Sequence, residues 1–589
     1  MKSIFAMLGA AAVVVACGGS DTIAPIQPNS GSPDLGTMAV GDVRVLSFAD
    51  AAGGLQIPAS LSAAQYAVIL ANTNVAAAAI PSYTVHGDWM TSQARGPSAD
   101  LAPPTGSSLP LISAPNSRGA MFEASLRNFE RTQLPRPGGR TQLGTSAAAL
   151  DKLVPPPARA VAPPLGATLQ IKVLTPAGFN GVGSKNCSAG GYTTTTGKVR
   201  AIGRHALVVS DVNSPAGGFT DADFQGVADE FDSFAFPTDS AYFGSPTDLD
   251  NNGHIIIYYT PAVNSLTPAG EANKSGYVGG FFFAGDLYPP TGTNSCASSN
   301  RGEIFYLLAP DPNAAFGNSF TTDFVREATR GTVAHEFQHM INSGNRYISP
   351  VATNFEATWL DEGLAHMAED VVGRARAGFA DNFTVAYADV DKLDPTVLQA
   401  YFIQNFARAK YYALRPDTTG AIVSSAKAAA NLASRCAVWA LRRYLDDWFS
   451  GNDPRNLTRK LVAGPDTGSV NLVKSAGAPL DTLLSHWLVT MYTDHRNIPG
   501  LNPMYNYKSY TLRQLIAGTL VGNETTSAYL PVKAVGDGRT TVQANIPGSS
   551  ANFFLTSLTT GGARTIAVTN SGGSPASDPN GRIYVVRQQ

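Results

Sequence analysis

The sequence predicts an α+β fold in which a mixed sheet leads into two long helices and a C-terminal helical subdomain, with small all-β modules at both ends. Three observations carry this. Runs rich in β-branched and aromatic residues between about 168 and 306 read as strands. Two long patterns, 321–343 and 357–372, carry apolar residues at helical spacing. Short alternating runs between turn residues occupy 43–90 and 523–589.

The 589 residues, 44% hydrophobic and 15% charged, exceed one ordinary domain, so several folded units are expected. With 42 basic against 44 acidic side chains, the net charge of -2 provides no field for nucleic acid, and none is expected as a partner.

The first residues, MKSIFAMLGAAAVVVACGGS, join one Lys to a short apolar run and small residues, the pattern of an export signal over 1–17. Val14-Val15-Ala16-Cys17 resembles a bacterial lipobox, which implies lipidation at Cys17, a membrane anchor and a place in the cell envelope; secretion is the alternative. Gly18 after the cysteine implies, by resemblance to Gram-negative lipoproteins, the outer membrane.

Residues 18–42 are Gly, Ser, Pro and Asp rich and read as a flexible tether. VRVLSF, QYAVILAN and SYTVHG make 43–90 a small β module. Residues 91–165 turn to Pro, Ala, Gly and Ser with one helical stretch at Phe122–Leu134, and read as a linker or a segment removed on maturation. Within 166–522, TLQIKVL, ALVVSD, HIIIYYT and EIFYLL are strands, Thr220 and Asp221 cap a helix, and helices are expected at 384–412, 421–449 and 479–494 after the central pair. TTVQANI, NFFLTSL, TIAVTN and RIYVVRQ form a terminal β-sandwich, 523–589. Cys187 and Cys296 lie in polar loops of an exported chain and are a candidate disulfide, whereas Cys436 falls inside an apolar helical pattern.

The chemistry concentrates in His335-Glu336-Phe337-Gln338-His339. Residues i and i+4 share a helix face, so both imidazoles can reach one metal ion with Glu336 beside it. Hydrolytic zinc takes three protein ligands and keeps one position for water. Trp359-Leu360-Asp361-Glu362-Gly363 opens the next helix and brings a carboxylate, Glu362, within reach as the third ligand.

HEFQHMI followed by WLDEGLAHMAED resembles the gluzincin peptidases, most closely the hyicolysin family of secreted bacterial metallopeptidases. The WLDEG block is also similar to that of aminopeptidase N-like enzymes. The resemblance covers roughly 165–520 and is strongest at 331–372. It implies a gluzincin-type peptidase domain binding Zn2+ through His335, His339 and Glu362, with Glu336 as general base, acting on protein or peptide substrates. Where thermolysin-like relatives carry an orienting Asp, this chain has His366, and Glu369 is either a partner for a ligand histidine or a solvated charge. Glu356 competes for the ligand role without the motif context.

An oxyanion donor is also needed. Arg435 stands where aminopeptidase N-like relatives carry a Tyr, and a guanidinium can donate; Tyr347, Tyr411, Tyr412 and His486 are alternatives. Asn300–Phe305 reads as an edge strand for an extended peptide. It is not the Gly-Ala-Met-Glu-Asn block that reads a free amine, so an endopeptidase is expected. Asp248, Asp250 and Asn252 are spaced like half a calcium loop, but position twelve is Tyr259, so Ca2+ and a plain Asx-rich turn both remain open. The competing function is a surface-anchored binding or adhesion protein with a vestigial peptidase fold.

Overall fold

The computed structural model describes residues 35–75, 79–87, 117–135, 161–175, 187–188, 190–423, 426–517, 529–536 and 541–589. Cys17 and the proposed signal lie outside them.

The two terminal β modules are one body, which corrects the expectation of two. Strands β1 (Val43–Ser47), β2 (Leu55–Ile57), β3 (Ala64–Asn72) and β4 (Ser82–Gly87) interleave with β11 (Val532–Ala534), β12 (Thr541–Asn545), β13 (Ser550–Leu558), β14 (Arg564–Asn570) and β15 (Gly581–Arg587). One sheet runs β1-β15-β3-β13-β11 and the other β12-β4-β14-β2. β3 is flanked on both sides by carboxy-terminal strands, antiparallel to each. Leu46, Leu55, Val68, Leu70, Phe554 and Val585 fill the space between the sheets. Leu35 and Met38 are buried in the same core, so the folded part begins inside the stretch read as a tether.

The central sheet runs β5-β6-β7-β8-β10-β9, from β5 (Thr168–Leu174), β6 (Tyr192–Ile202), β7 (Ala206–Asp211), β8 (Ile255–Thr260), β9 (Gly280–Phe282) and β10 (Ile304–Leu308). β7, β8 and β10 pair in parallel, and the outer pairings are antiparallel. Every residue of β7 and β10 is buried, as their continuous apolar runs require of strands covered on both faces. The expected substrate-edge strand at Asn300–Phe305 is therefore corrected: β10 is internal, and the edge belongs to β9, only three residues long.

Outside the sheet, α1 (Arg118–Gln133) is the helical part of the stretch read as a linker. α2 (Asp221–Glu230) starts in a capping box between Thr220 and Asp223 and continues through a π turn into α3 (Phe236–Phe243). α4 (Thr322–Ile348) and α5 (Thr358–Arg376) carry the motifs, and Phe231 and Phe236 pack on Phe337 of α4. The expected 384–412 helix breaks at Asp394-Pro395, because proline removes a backbone donor and Asp394 caps a new start; its last part is α6 (Ile403–Leu414). The 421–449 pattern is interrupted likewise at Asn431, whose side chain accepts the Ala433 N–H and opens α7 (Leu432–Phe449). α8 (Leu480–Thr493) ties the helical region to the sandwich through a 2.6 Å hydrogen bond between Ser485 and Tyr584.

Candidate metal centre

α4 begins where the Thr321 hydroxyl accepts the Phe324 N–H, and runs for 27 residues through the middle of the molecule. From Val333 to Gly344 every residue is buried, so this helix is covered on all sides rather than on one face. His335 and His339 stand one turn apart with ring centroids 4.9 Å from each other. One ligand atom from each of His335, His339 and Glu362 lies within 4.8 Å of the others. His335 Nε2 is 3.6 Å from Glu362 Oε2.

Gly363 explains how Glu362 gets there. A Cβ on Gly363 would fall 2.2 Å from Val438 Cγ1, so α5 and α7 approach more closely than any other residue permits. That approach also sets Arg435 of α7 on Glu362, Nη1 to Oε2 at 2.5 Å.

Each histidine has a carboxylate behind it. His335 Nδ1 bonds Glu369 Oε1 at 2.8 Å, and His339 Nδ1 lies 3.1 Å from Asp361 Oδ2, while the other oxygen of Asp361, Oδ1, accepts from Asn342 Nδ2 at 2.6 Å. Such partners fix the ring orientation and leave Nε2 for a metal. Of the two readings of Glu369, the partner role matches its place. Asp361 and Asn342 were not singled out from sequence, although Asp361 stands inside WLDEG. His366 packs edge-on to His335 at 4.9 Å and lies 3.2 Å from Glu369.

The charges follow from this packing. Burial by itself would lower the His335 imidazole, but Glu362 and Glu369 outweigh it and push it up to about 10. Burial opposes ionisation of Glu362, yet Arg435 and the two histidines hold it well below the usual carboxylate range. Burial pulls His366 down to about 4. Burial, then Glu336 opposite, pushes Glu123 of α1 well up.

The residues present fit a zinc ion. His339 Nε2 and Glu362 Oε1 are buried without a hydrogen-bond partner among the described residues, and two imidazole nitrogens with a carboxylate oxygen are a hydrolytic zinc donor set.

Glu336 lies beside this set, and its Oε2 accepts the Phe282 N–H of β9 at 2.8 Å. Arg127 of α1 donates to Phe282 O at 2.7 Å and stands 3.9 Å from Glu336. Neither Arg127 nor Glu123 was singled out from sequence, since nothing in the composition of 91–165 marks them.

The oxyanion role for Arg435 is corrected in this arrangement. Its remaining donors go to Ala429 O and to Ala120 O of α1, each at 2.8 Å, so Nε, Nη1 and Nη2 are each engaged within the chain. The alternatives lie elsewhere. Arg301 donates to the Tyr347 hydroxyl, Tyr412 bonds Ser550 in the sandwich, Tyr411 lies under Arg415, and His486 packs near Tyr505. Glu356 is consumed by Arg346, Ala357, Gly468 and Asn471, which removes it as a ligand.

Cys187 and Cys296 form a disulfide, and Cys436 is a buried free thiol. In the Asx-rich loop, Asp250 accepts from Asn252 Nδ2 at 2.6 Å, Asp248 accepts the Gly253 N–H, and Asn252 Oδ1 accepts the His254 N–H. The loop thus satisfies its own oxygens, as a turn before a strand does. Glu303, which lies with Asp248 and Asp250, is held by Thr247 and the Leu249 N–H.

No protein-family model matches the chain. A curated relative does: the chain is 28% identical over 150 residues to the neutral metalloprotease ShpI of Staphylococcus hyicus, a match covering 26% of this chain and 31% of that protein. The chain is therefore related to a metalloprotease over less than a third of the relative's length, and its clustered histidines and carboxylates suit the divalent metal that such a relationship implies.

Proposed function

We propose that the chain is an exported zinc metalloendopeptidase of gluzincin type. The observation that carries this reading is the meeting of His335, His339 and Glu362 in one buried cluster with Glu336 at its edge. Zinc held there supplies a Lewis acid that lowers the pKa of a bound water and polarises the scissile carbonyl.

The chain's own groups do the rest. Glu369 and Asp361 keep the two imidazoles turned toward the ion, and Arg435 holds Glu362 ionised. Glu336 takes the proton of the attacking water at a carboxylate oxygen and returns it to the leaving amine. The edge of β9 runs beside Glu336 and can pair with an extended peptide by backbone hydrogen bonds, which favours internal peptide bonds over free termini.

Zinc content and casein cleavage, measured on wild type, Glu336→Gln and His339→Ala, test the reading. Glu336→Gln keeps zinc and loses cleavage, and His339→Ala loses both. Equal cleavage by wild type and Glu336→Gln contradicts it, and zinc without cleavage in any form favours the binding-protein alternative. The anchor at Cys17 belongs to the same proposal: Cys17→Ala releases the protein into the soluble fraction, and continued partitioning with membranes contradicts lipidation.

A further inference from the structure

α1 is set into the candidate centre rather than beside it. Its buried face includes Phe122, Glu123, Leu126, Arg127, Phe129 and Glu130, half of them charged groups that a free linker would leave in water. Phe122 packs on Phe281 with centroids 5.3 Å apart, and Phe129 on Phe283 at 6.2 Å. Gly119 makes the approach possible, since a Cβ there would fall 2.5 Å from Tyr277 O.

The polar groups at the edge of the sheet are taken by the same helix. Arg127 fills Phe282 O, and Glu130 accepts the Ala284 N–H at 2.7 Å. A peptide adding to the edge of β9 would need this space. At the centre itself, one ligand atom from each of Glu123, Glu336 and His339 lies within 4.8 Å of the others. The Glu123 side chain is 9% exposed, and its Oε1 has no hydrogen-bond partner among the described residues; its other oxygen meets only Arg127, at 3.4 Å. A buried carboxylate oxygen with no donor, on a side chain that lies with Glu336 and with His339, whose Nε2 also has none, is an oxygen placed for a cation.

We propose that Glu123 is a fourth protein ligand of the metal in the closed protein, where it occupies the water position while α1 fills the substrate edge. The inference rests on the zinc-peptidase reading above. In this form Glu336 has no water to activate, and cleavage by the wild-type chain is confined to the small fraction of molecules in which Glu123 has left the metal. Departure of α1 opens the coordination position, frees Phe282 O for a peptide N–H and frees Arg435 Nη2 from Ala120 O. The helix is thus both inhibitor and occupant, a stretch of this chain lying where a substrate lies.

The test uses the full chain loaded with Co2+, whose visible spectrum reports the donor set independently of turnover. Glu123→Ala is predicted to change the position and intensity of the cobalt bands as water replaces the carboxylate. Acetohydroxamate is predicted to perturb the spectrum of Glu123→Ala and leave that of wild type unchanged. Casein cleavage by the zinc form is predicted to rise at least tenfold in Glu123→Ala. Phe122→Ala keeps the carboxylate but loosens the helix, and is predicted to admit acetohydroxamate partially, so the idea stays testable should Glu123→Ala misfold.

Identical cobalt spectra for wild type and Glu123→Ala, or equal access of acetohydroxamate to wild type and to Phe122→Ala, overturn the assignment. A spectral change and hydroxamate entry without cleavage by any variant leave the ligand role standing and defeat the peptidase reading. Equal spectra with equal cleavage do the reverse. A chain that takes up no cobalt defeats both.

Discussion

Gly363→Ala probes how the third ligand is positioned. The new methyl would lie 2.2 Å from Val438 Cγ1, more than 1 Å inside the 3.4 Å at which ordinary contact begins. Both residues belong to buried helices, so relief requires α5 and α7 to separate. Overpacking of this kind costs about 3 kcal/mol. Alanine is favoured over glycine in a helix by about 1 kcal/mol, leaving about 2 kcal/mol of destabilisation. The same separation lengthens the 2.5 Å contact of Arg435 with Glu362 and moves Glu362 off the histidines, so zinc affinity falls with stability.

Urea unfolding followed by tryptophan fluorescence, together with zinc titration, measures both effects. Val438→Ala alone is destabilising by about 2 kcal/mol, two buried methyls at roughly 0.8 kcal/mol each with a small cavity. Combined with Gly363→Ala it becomes nearly neutral, because the new methyl fills the space, and zinc affinity returns. A Gly363→Ala protein within 0.5 kcal/mol of wild type, or a double variant whose costs simply add, refutes the close-approach argument.

Two further predictions follow from the surroundings. Glu369→Gln weakens the acceptor behind His335 and lowers zinc affinity about 10-fold to 100-fold, read by competition with a chromogenic chelator while the fold stays intact by circular dichroism; unchanged affinity removes Glu369 from the site. Asp286 is pushed up to about 7 by burial although it accepts the Asn300 N–H and the Tyr306 hydroxyl, so its contribution to stability is full below its ordinary value near 4 and is lost as pH rises through 7. Asp286→Asn flattens the fall in urea midpoint between about pH 4 and 7; a slope as steep as that of wild type refutes the assignment.

What could be read in advance was local. His335 and His339 share a face by helix geometry alone, and WLDEG places Glu362 at the start of α5. Glu369 was legible as a candidate because it repeats at helical spacing from Glu362. What escaped depends on chain segments far apart in sequence. The two β modules become one because β3 pairs with β13 and β15, nearly the whole chain away, and alternating runs do not name their partners. β9 is too short to stand out as a strand, so the edge was assigned to the longer and more apolar β10. Arg435 was found as a residue near the site but given the wrong duty, since only the packing of α7 on α5 shows that Glu362 takes its guanidinium. Glu123 lies in the helical stretch expected at Phe122–Leu134, but nothing in the surrounding Pro/Ala-rich sequence shows that this helix is buried.

The central claim is a zinc site at His335, His339 and Glu362 with Glu336 as base. Its most direct measurement is zinc bound per chain alongside casein cleavage, made in the Glu123→Ala background with and without Glu336→Gln and Glu362→Ala. The account predicts one zinc and cleavage in the parent, one zinc with cleavage lowered at least 100-fold in Glu336→Gln, and little zinc and no cleavage in Glu362→Ala. Full zinc occupancy in Glu362→Ala, or undiminished cleavage in Glu336→Gln, contradicts it.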